Sequence, residues 1–178
     1  MNYISSKETI DKLTADFLKI ENNEFSYGTK YLDTSDNSEW LKLYLKSDYH
    51  GGGNPVLMKK EGINSNILID TIFDSNDLME ISIASALLEY FEQINKQEFR
   101  LHLIERLEDH LNKKEVLKSK FEKKRIDAII LNSLIFDSTN RRDLLGKNDL
   151  EIKADHKFFR EIADRAEKIK TVANKVYN

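Results

Sequence analysis

The sequence predicts a mainly α protein, an antiparallel helical bundle that forms a single helical domain over residues 1–178. Three observations lead to this fold class. The 178 residues include only six glycines and one proline, and 33% of them are charged, a composition that favours helices. Apolar residues recur at spacings of three and four over long stretches. No linker, internal repeat or low-complexity segment divides the chain.

The clearest pattern covers residues 74–111, where two amphipathic helices are joined by a very short connection. The first helix is predicted over residues 78–94, and the short oxygen-bearing side chains at 74–77 are suited to cap its N-terminus. The second helix is predicted over residues 99–111. A connection this short makes consecutive helices antiparallel neighbours.

Three further helices are expected along the chain. The first covers residues 7–21 and follows Ser5 or Ser6, either of which can cap it. The other two cover residues 115–136 and 157–176, and each has apolar residues along one face. All five helices together would form the bundle.

The segments between these helices carry weaker signals. Turn residues dominate 22–39, so we expect a connection with at most short structure. In residues 40–60 we expect a helix at 39–46, but alternating leucines leave a small β-hairpin open. Residues 65–73 are apolar on nearly all sides and predict a buried short helix or strand. Residues 141–156 predict a loop or one irregular turn.

Composition also bears on the compartment. The chain contains no cysteine, which excludes disulfides and thiolate metal sites and suits a reducing cytosol. No stretch approaches the roughly 20 apolar residues that span a bilayer. The first residues lack a basic head followed by an apolar run. We therefore expect a cytoplasmic protein that does not enter a membrane.

The chain lacks the motifs of common catalytic and nucleotide-binding sites. Residues 50–53, HGGG, look like the oxyanion loop of lipases and esterases. The serine motif G-x-S-x-G that must accompany this loop is absent, so a flexible turn explains the glycines better. Neither G-x-x-x-x-G-K-[ST] nor G-x-G-x-x-G occurs, which leaves no glycine-rich phosphate cradle.

One helical stripe has the side chains to hold a divalent metal ion, and it consists of Glu98, His102, Glu105 and Asp109. Four-helix di-metal sites need Glu-x-x-His motifs on two helices, and the chain has none. Solvated helix surface explains the stripe better. We therefore predict no metal, no cofactor and no enzymatic activity.

Charge is distributed unevenly along the chain. Residues 1–110 contain 20 Asp and Glu against 11 Lys and Arg, whereas residues 111–178 contain 11 against 17. The basic segments at 118–125 and 141–142 could contact nucleic acid. Only Phe121 supplies an interleaved aromatic ring, and the whole molecule is acidic, so we expect no direct nucleic-acid binding.

A family resemblance enters through residues 65–145. An acidic cap opens the helix at 78–94, a short link leads to the helix at 99–111, and AIILNS at 128–133 is followed by Arg141 and Arg142. This order resembles helical, HEAT-like immunity proteins of bacterial polymorphic-toxin and contact-dependent growth inhibition systems. The resemblance implies a short HEAT-like helical array, a cognate toxin as partner, occlusion of its active site, and no cofactor. The alternative is a helical scaffold or adaptor protein.

The predicted toxin-binding surface is acidic, because nuclease clefts are basic and clustered carboxylates compete for the same field. The densest acidic group consists of Asp70, Asp74, Asp77 and Glu80. A second choice consists of Glu105, Glu108 and Asp109. The aromatic anchor is expected to be Trp40, Tyr49 or Tyr90. For Asp74 and Asp77, helix capping alone is the competing explanation.

Overall fold

The computed structural model describes residues 3–20, 28–46, 53–113 and 119–176. They belong to two compact units, Met1–Asn64 and Ser65–Asn178. Within the described ranges the chain has six helices and a five-stranded antiparallel sheet. The prediction of a mainly α bundle was therefore wrong, and the protein is an α+β protein. A single helical domain over 1–178 does not describe the first unit, which is built on the sheet.

The first unit is an antiparallel sheet with one helix. Its strands follow the order β1-β5-β4-β3-β2 across the sheet, and every neighbouring pair is antiparallel. Its elements in chain order are β1 (Tyr3–Ile4), α1 (Lys7–Asp16), β2 (Leu18–Ile20), β3 (Gly28–Asp33), β4 (Ser38–Leu45) and β5 (Asn54–Lys59).

The expected helix at 39–46 was wrong, because these residues form strand β4. Leu41, Leu43 and Leu45 lie on one face and are all buried, while Trp40 packs with Ile10 of α1 and with Leu57 on the other. A period of two that buries the leucine face, together with the buried Trp40 on the other, outweighs the helix propensity of leucine and lysine. The open alternative was correct, since β4 and β5 pair antiparallel as a hairpin. Part of its connecting turn lies outside the described residues.

The segment at 22–39 contains more structure than expected, and helix α1 contains less. Strand β3 occupies part of the segment, and α1 ends at Asp16, where Phe17 is extended and β2 follows. Gly28 has a packing reason in β3, because a Cβ there would lie 2.8 Å from Leu43 Cδ2. The N-cap of α1 is Ser6, whose hydroxyl accepts from the Thr9 N–H.

The second unit is helical. Residues 65–73, left open between helix and strand, form a helix, and the two helices predicted over 78–94 and 99–111 are confirmed to within one residue. The unit's elements are α2 (Ser65–Asp74), α3 (Leu78–Asn95), α4 (Arg100–Leu111), α5 (Lys120–Ser133) and α6 (Asp149–Val176). Helix α5 ends three residues before the predicted 136, with Leu134 in the left-handed region. Residues 114–118, at its predicted start, lie outside the described ranges.

Helix α6 begins eight residues before the predicted start at 157. Asn148 Oδ1 accepts from the Glu151 N–H at 3.1 Å, and Glu151 Oε2 accepts from the Asn148 N–H at 2.8 Å. This reciprocal pair has the geometry of a capping box. The N-x-x-E spacing was therefore a readable signal that the predicted loop ends at 148 instead of 156.

A buried ion pair ties three parts of the helical unit together. Arg100 at the start of α4 donates to both carboxylate oxygens of Glu92 on α3, at 2.7 and 2.8 Å. Its Nη1 also donates to the carbonyl of Asp137 beyond α5, at 2.7 Å. The Arg100 side chain is 1% exposed and that of Glu92 6%. The guanidinium has a partner on each side and lies 4.9 Å from the ring of Phe159.

A second buried arginine caps the C-terminal end of helix α2. Arg125 of α5 donates to the carbonyls of Ile72 and Phe73, at 2.7 and 3.2 Å. Carbonyls in the last turn of a helix have no partner within the helix, so Arg125 satisfies them. Its Nε donates to Glu122, which His110 also contacts at 2.7 Å. None of the helices within the described ranges has the length and apolarity needed to cross a membrane.

Replacing Arg100 by methionine should destabilise the helical unit strongly. The variant leaves the Glu92 carboxylate and the Asp137 carbonyl buried without their donor, at a cost of about 3–5 kcal/mol in the free energy of unfolding. Urea unfolding measures this cost. The double variant Glu92→Leu, Arg100→Met removes both charges and should recover most of the loss. A loss below about 1 kcal/mol for Arg100→Met is the range of a surface ion pair, and it would contradict the role of Arg100 and Glu92 as a buried ion pair.

Candidate functional site

Helices α2 and α4 lie side by side and parallel in the helical unit. Asn66 Oδ1 lies 3.1 Å from His102 Nδ1, and Asp70 Oδ1 accepts from Arg106 Nη1 at 3.3 Å. One turn further, the rings of Phe73 and His110 are 5.3 Å apart. The numbers of the contacting residues increase in the same direction along α2 and α4, so the two helices are parallel. This is expected when α3, which lies between them in sequence, runs antiparallel to both. The outer sides of α2 and α4 therefore form one continuous surface.

The segment that carries this surface is strongly acidic. Residues 65–111 contain ten Asp and Glu against three Lys and Arg, while residues 112–178 contain 11 against 17. The three basic residues are all engaged with carboxylates: Arg100 with Glu92, Arg106 with Asp70, and Lys96 with Asp143. The charge asymmetry of the sequence is thus an asymmetry within the helical unit. The sheet unit, with 10 acidic and 8 basic residues in 1–64, is nearly balanced.

The structure brings together residues from both predicted acidic groups. The exposed carboxylates of this surface form what we call the acidic band, which consists of Asp70 and Asp74 on α2 and Glu105 and Asp109 on α4. Glu105 lies three residues from His102, and Asp109 three residues from Arg106, so both adjoin the α4 side chains that face α2. Two groups about 30 residues apart in sequence lie on one surface because the chain reverses direction before and after α3.

Asp77 and Glu80 serve the start of helix α3. Asp77 is its N-cap and accepts from the Met79 N–H at 2.9 Å. Glu80 accepts from the Ser75 hydroxyl at 2.5 Å, and the Ser75 oxygen accepts from the Asp77 N–H at 3.0 Å. These bonds satisfy orphan donors at the helix start. The capping explanation therefore accounts for Asp77.

Asp74 stands differently, because it is the last residue of α2. The C-terminal end of a helix carries partial negative charge, so a carboxylate there is mildly unfavourable. The side chain is exposed and does not act as the N-cap of α3, which is Asp77. Capping therefore does not account for the Asp74 carboxylate, and a role at the surface explains it better.

Glu108 joins helix α4 to α6. Its two carboxylate oxygens accept from Nε and Nη2 of Arg165, at 2.8 and 2.6 Å. These hydrogen bonds lower the pKa of Glu108 and outweigh the opposing effect of partial burial. Because both oxygens are engaged within the unit, Glu108 is a packing residue more than a residue available to a partner.

The three predicted aromatic anchors have different positions. Trp40 belongs to the core of the sheet unit, where it is 8% exposed and its indole N–H donates to Ser38 at 2.8 Å. Tyr90 on α3 is half-buried, its ring meets that of Phe91 edge-on, and burial raises the pKa of its phenol. Tyr49 lies outside the described residues. Trp40 is therefore unsuited to insert into a partner.

A cavity of about 280 Å³ opens beside the N-terminus of α4. Its lining residues are Glu92, Glu98, Phe99, Arg100, Leu101, His102, Glu105, Arg142, Phe158 and Phe159. Glu98 accepts from Arg142 at 2.7 Å, and the Arg142 guanidinium lies 4.4 Å from the ring of Phe158. This lining contains no serine, threonine or cysteine nucleophile. In the described ranges no group of three or more His, Asp or Glu is placed to hold a metal ion.

Other motifs of the sequence have structural explanations or cannot be placed. Arg125 is buried as described, so it is not part of an exposed basic surface. Arg141 and Arg142 donate to carboxylates of their own unit. Of the HGGG motif only Gly53 is described, and it has a φ of +59°. Its other residues lie outside the described ranges.

An ionic cluster that no sequence motif predicts surrounds Asp155, which is buried near the start of α6. Arg142 Nη1 donates to one of its oxygens at 2.7 Å, and Lys147 Nζ donates to the other at 2.5 Å. These two bonds lower the pKa of the Asp155 carboxyl. Both donors belong to the connection between α5 and α6, so the cluster fastens that connection to the helix.

Neutralising Asp74 and Asp77 should separate capping from surface charge. Asp77→Ala removes the N-cap and should lower the free energy of unfolding by about 1 kcal/mol, whereas Asp77→Asn should not, because asparagine caps equally well. Asp74→Asn should leave stability unchanged or raise it by a few tenths of a kcal/mol. Thermal unfolding measures all three variants. A loss for Asp74→Asn as large as that for Asp77→Ala would show that Asp74 supports the helix.

Stability should fall in acid over a defined range. Hydrogen bonds from Lys147 and Arg142 lower the pKa of Asp155, and those from Arg165 lower that of Glu108. A carboxyl with a lowered pKa in the folded state stabilises it above the unfolded pKa of about 4, and loses that contribution as pH falls through the folded value.

Urea unfolding should therefore give a constant stability near pH 6 and a decreasing one below about pH 4. Asp155→Asn should be less stable than wild type at pH 6, and the difference should shrink as the pH is lowered. A difference that stays the same from pH 6 to pH 3 would contradict a charged Asp155 in the folded state.

No protein-family model, curated protein sequence or solved structure matches this chain. No matching relative supports the resemblance to helical immunity proteins, and the sheet unit differs from the all-helical fold that this resemblance implies. Function must therefore be inferred from the surface of the helical unit.

Proposed function

We propose that this chain is an immunity protein, which binds a cognate toxin domain in the bacterial cytoplasm and covers its active site. The observation that carries the proposal is the acidic band. Four exposed carboxylates from two non-adjacent segments lie on one continuous surface of α2 and α4. One of them, Asp74, is unfavourable for its own helix, which is expected where a side chain serves binding more than stability.

The partner class follows from the sign and density of charge. Nucleases bind a polyanion in a basic cleft, so a surface of clustered carboxylates competes with the substrate for the same positive field. Such complementarity raises the rate of association and discriminates against acidic proteins. The proposed partner is therefore a basic, nuclease-type toxin domain.

The mode of action is occlusion without chemistry by the inhibitor. The titratable groups of the cavity beside α4 are largely bound to one another, with Glu98 on Arg142 and Glu92 on Arg100. His102 and Glu105 also line the cavity, but its lining offers no serine, threonine or cysteine nucleophile for them to activate. This lining is consistent with a surface that only binds.

The test uses the toxin domain that the proposal expects in the reading frame immediately upstream. Co-expression of this chain should restore growth to cells that produce the domain, and calorimetry should show a stable complex. The variant Glu105→Gln, Asp109→Asn should weaken binding about tenfold or more, mainly through a slower association rate that depends less on salt.

A matched control removes one Asp and one Glu elsewhere. Asp164→Asn, Glu167→Gln neutralises two exposed carboxylates of α6 and should leave affinity nearly unchanged. Equal losses of affinity in the two double variants would show that only the net charge of the chain affects binding, and would contradict a binding role for the acidic band. Absence of protection and of a complex would favour the alternative of a scaffold or adaptor protein with another partner.

A further inference from the structure

The connection between α5 and α6 exposes leucines at its tip. Leu145 is 97% exposed, Leu144 is 52% exposed, and Leu150 in the first turn of α6 is 77% exposed. A buried leucine side chain contributes about 1.5–3 kcal/mol relative to an exposed one, and this tip forgoes that gain. Single exposed leucines are common on protein surfaces, whereas a cluster marks an interaction site.

The tip has a defined backbone conformation. The Lys147 N–H donates to the Leu144 carbonyl at 3.1 Å, which closes a tight turn. Gly146 within this turn has a φ of +80°, a conformation that glycine adopts at no steric cost. Both leucines of this turn are exposed.

The base of the connection is clamped on both sides of the turn. Arg142, before the turn, donates to Asp155 and to Glu98, both at 2.7 Å. Lys147, after it, donates to the other oxygen of Asp155 at 2.5 Å. Arg141 donates to Asp137, also at 2.5 Å. A segment of about eight residues is thus fastened by four ionic hydrogen bonds.

Rigidity and apolar exposure together describe a binding element. An exposed apolar side chain on a loose loop would lose conformational entropy on binding, and ordering each such side chain costs affinity. The clamp already orders the backbone of the turn, so that binding would require ordering of the leucine side chains alone. Binding energy in protein interfaces concentrates in a few apolar or aromatic residues that enter a pocket of the partner.

We propose that Leu144 and Leu145 are the apolar anchor of the toxin interface, inserted into an apolar socket with a basic rim. The inference rests on the proposed function, because it names a second contact with the same partner. We expect a basic rim because the exposed carboxylates of Asp149 and Glu151 follow the tip, and Asp143, which pairs with Lys96, precedes it. The tip is also linked to the segment that begins α4, because Arg142 donates to Glu98, two residues before the first residue of α4.

The same charges argue against a lipid surface as the occupant. Bacterial and other cytoplasmic membrane surfaces carry anionic lipids, which attract basic segments. The three basic residues of the connection, Arg141, Arg142 and Lys147, donate to carboxylates of this chain. Among the exposed charged side chains from residue 143 to 153, three are acidic and one, Lys153, is basic, while Asp143 also pairs with Lys96.

The test compares the affinities of leucine variants for the purified, catalytically inactive toxin domain. Leu144→Ser, Leu145→Ser should weaken the complex about tenfold to a hundredfold. The loss should lie in faster dissociation and should not depend on salt, unlike the loss caused by neutralising the acidic band. Thermal stability should fall little, because Leu145 is almost fully exposed and Leu144 is half exposed.

Two further variants make the result specific. Leu131→Ser changes another leucine that is 61% exposed, on α5, and should not alter affinity. Asp155→Asn keeps both leucines but weakens the clamp, and should lower affinity by a smaller factor. Unchanged affinity of Leu144→Ser, Leu145→Ser beside a tight wild-type complex would overturn the anchor alone.

Failure of the proposed function gives a different result. If the wild-type chain neither binds the toxin domain nor protects cells, the immunity function is overturned and the anchor with it. Binding of the wild-type chain to vesicles of anionic phospholipid, lost in the double serine variant, would also overturn the anchor as a protein contact.

Discussion

The helical unit depends on one buried guanidinium. Arg100 of α4 donates hydrogen bonds to Glu92 of α3, and the same side chain donates to the carbonyl of Asp137 beyond α5. A buried ion pair is weak evidence for stability in itself, because desolvation offsets much of the Coulomb attraction. Its geometric value is larger, because a fork with fixed donor directions allows only one relative placement of three chain segments. The positions of α4 and of the connection after α5 follow from that placement.

The α4 half of the acidic band and the whole leucine tip belong to these two segments. Helix α4 presents Glu105 and Asp109, while the connection presents the leucine tip and returns Arg142 to Glu98 on α4. Charge and apolar area are therefore held at a fixed separation on one rigid unit. Interfaces that combine a preformed apolar anchor with charged surroundings obtain tight binding from the first and rapid, selective encounter from the second.

Helix prediction succeeded where the local sequence signals agreed. It failed where pairing between distant strands determines the secondary structure. The pattern at 78–111 combines an N-cap, apolar periodicity and a short link, and the helices form there within one residue. Leu41, Leu43 and Leu45 carry a period of two, but leucine and lysine favour helix, and only pairing with β3 and β5 resolves the conflict. The acidic groups were visible as composition. Their position on one surface could not be predicted, because it follows from the parallel placement of α2 and α4. The hydrogen bonds of Asp155 with Arg142 and Lys147 could not be predicted either, because no sequence spacing indicates that these residues are in contact.

The outermost strands of the sheet are also its shortest. As described, β1 has two residues and β2 has three, while β4 in the middle has eight. An outer strand offers unpaired N–H and C=O groups on which another chain can add a strand, and short outer strands limit this hazard. Under the proposed function the chain must accumulate ahead of its toxin, and short outer strands would limit pairing between its own copies.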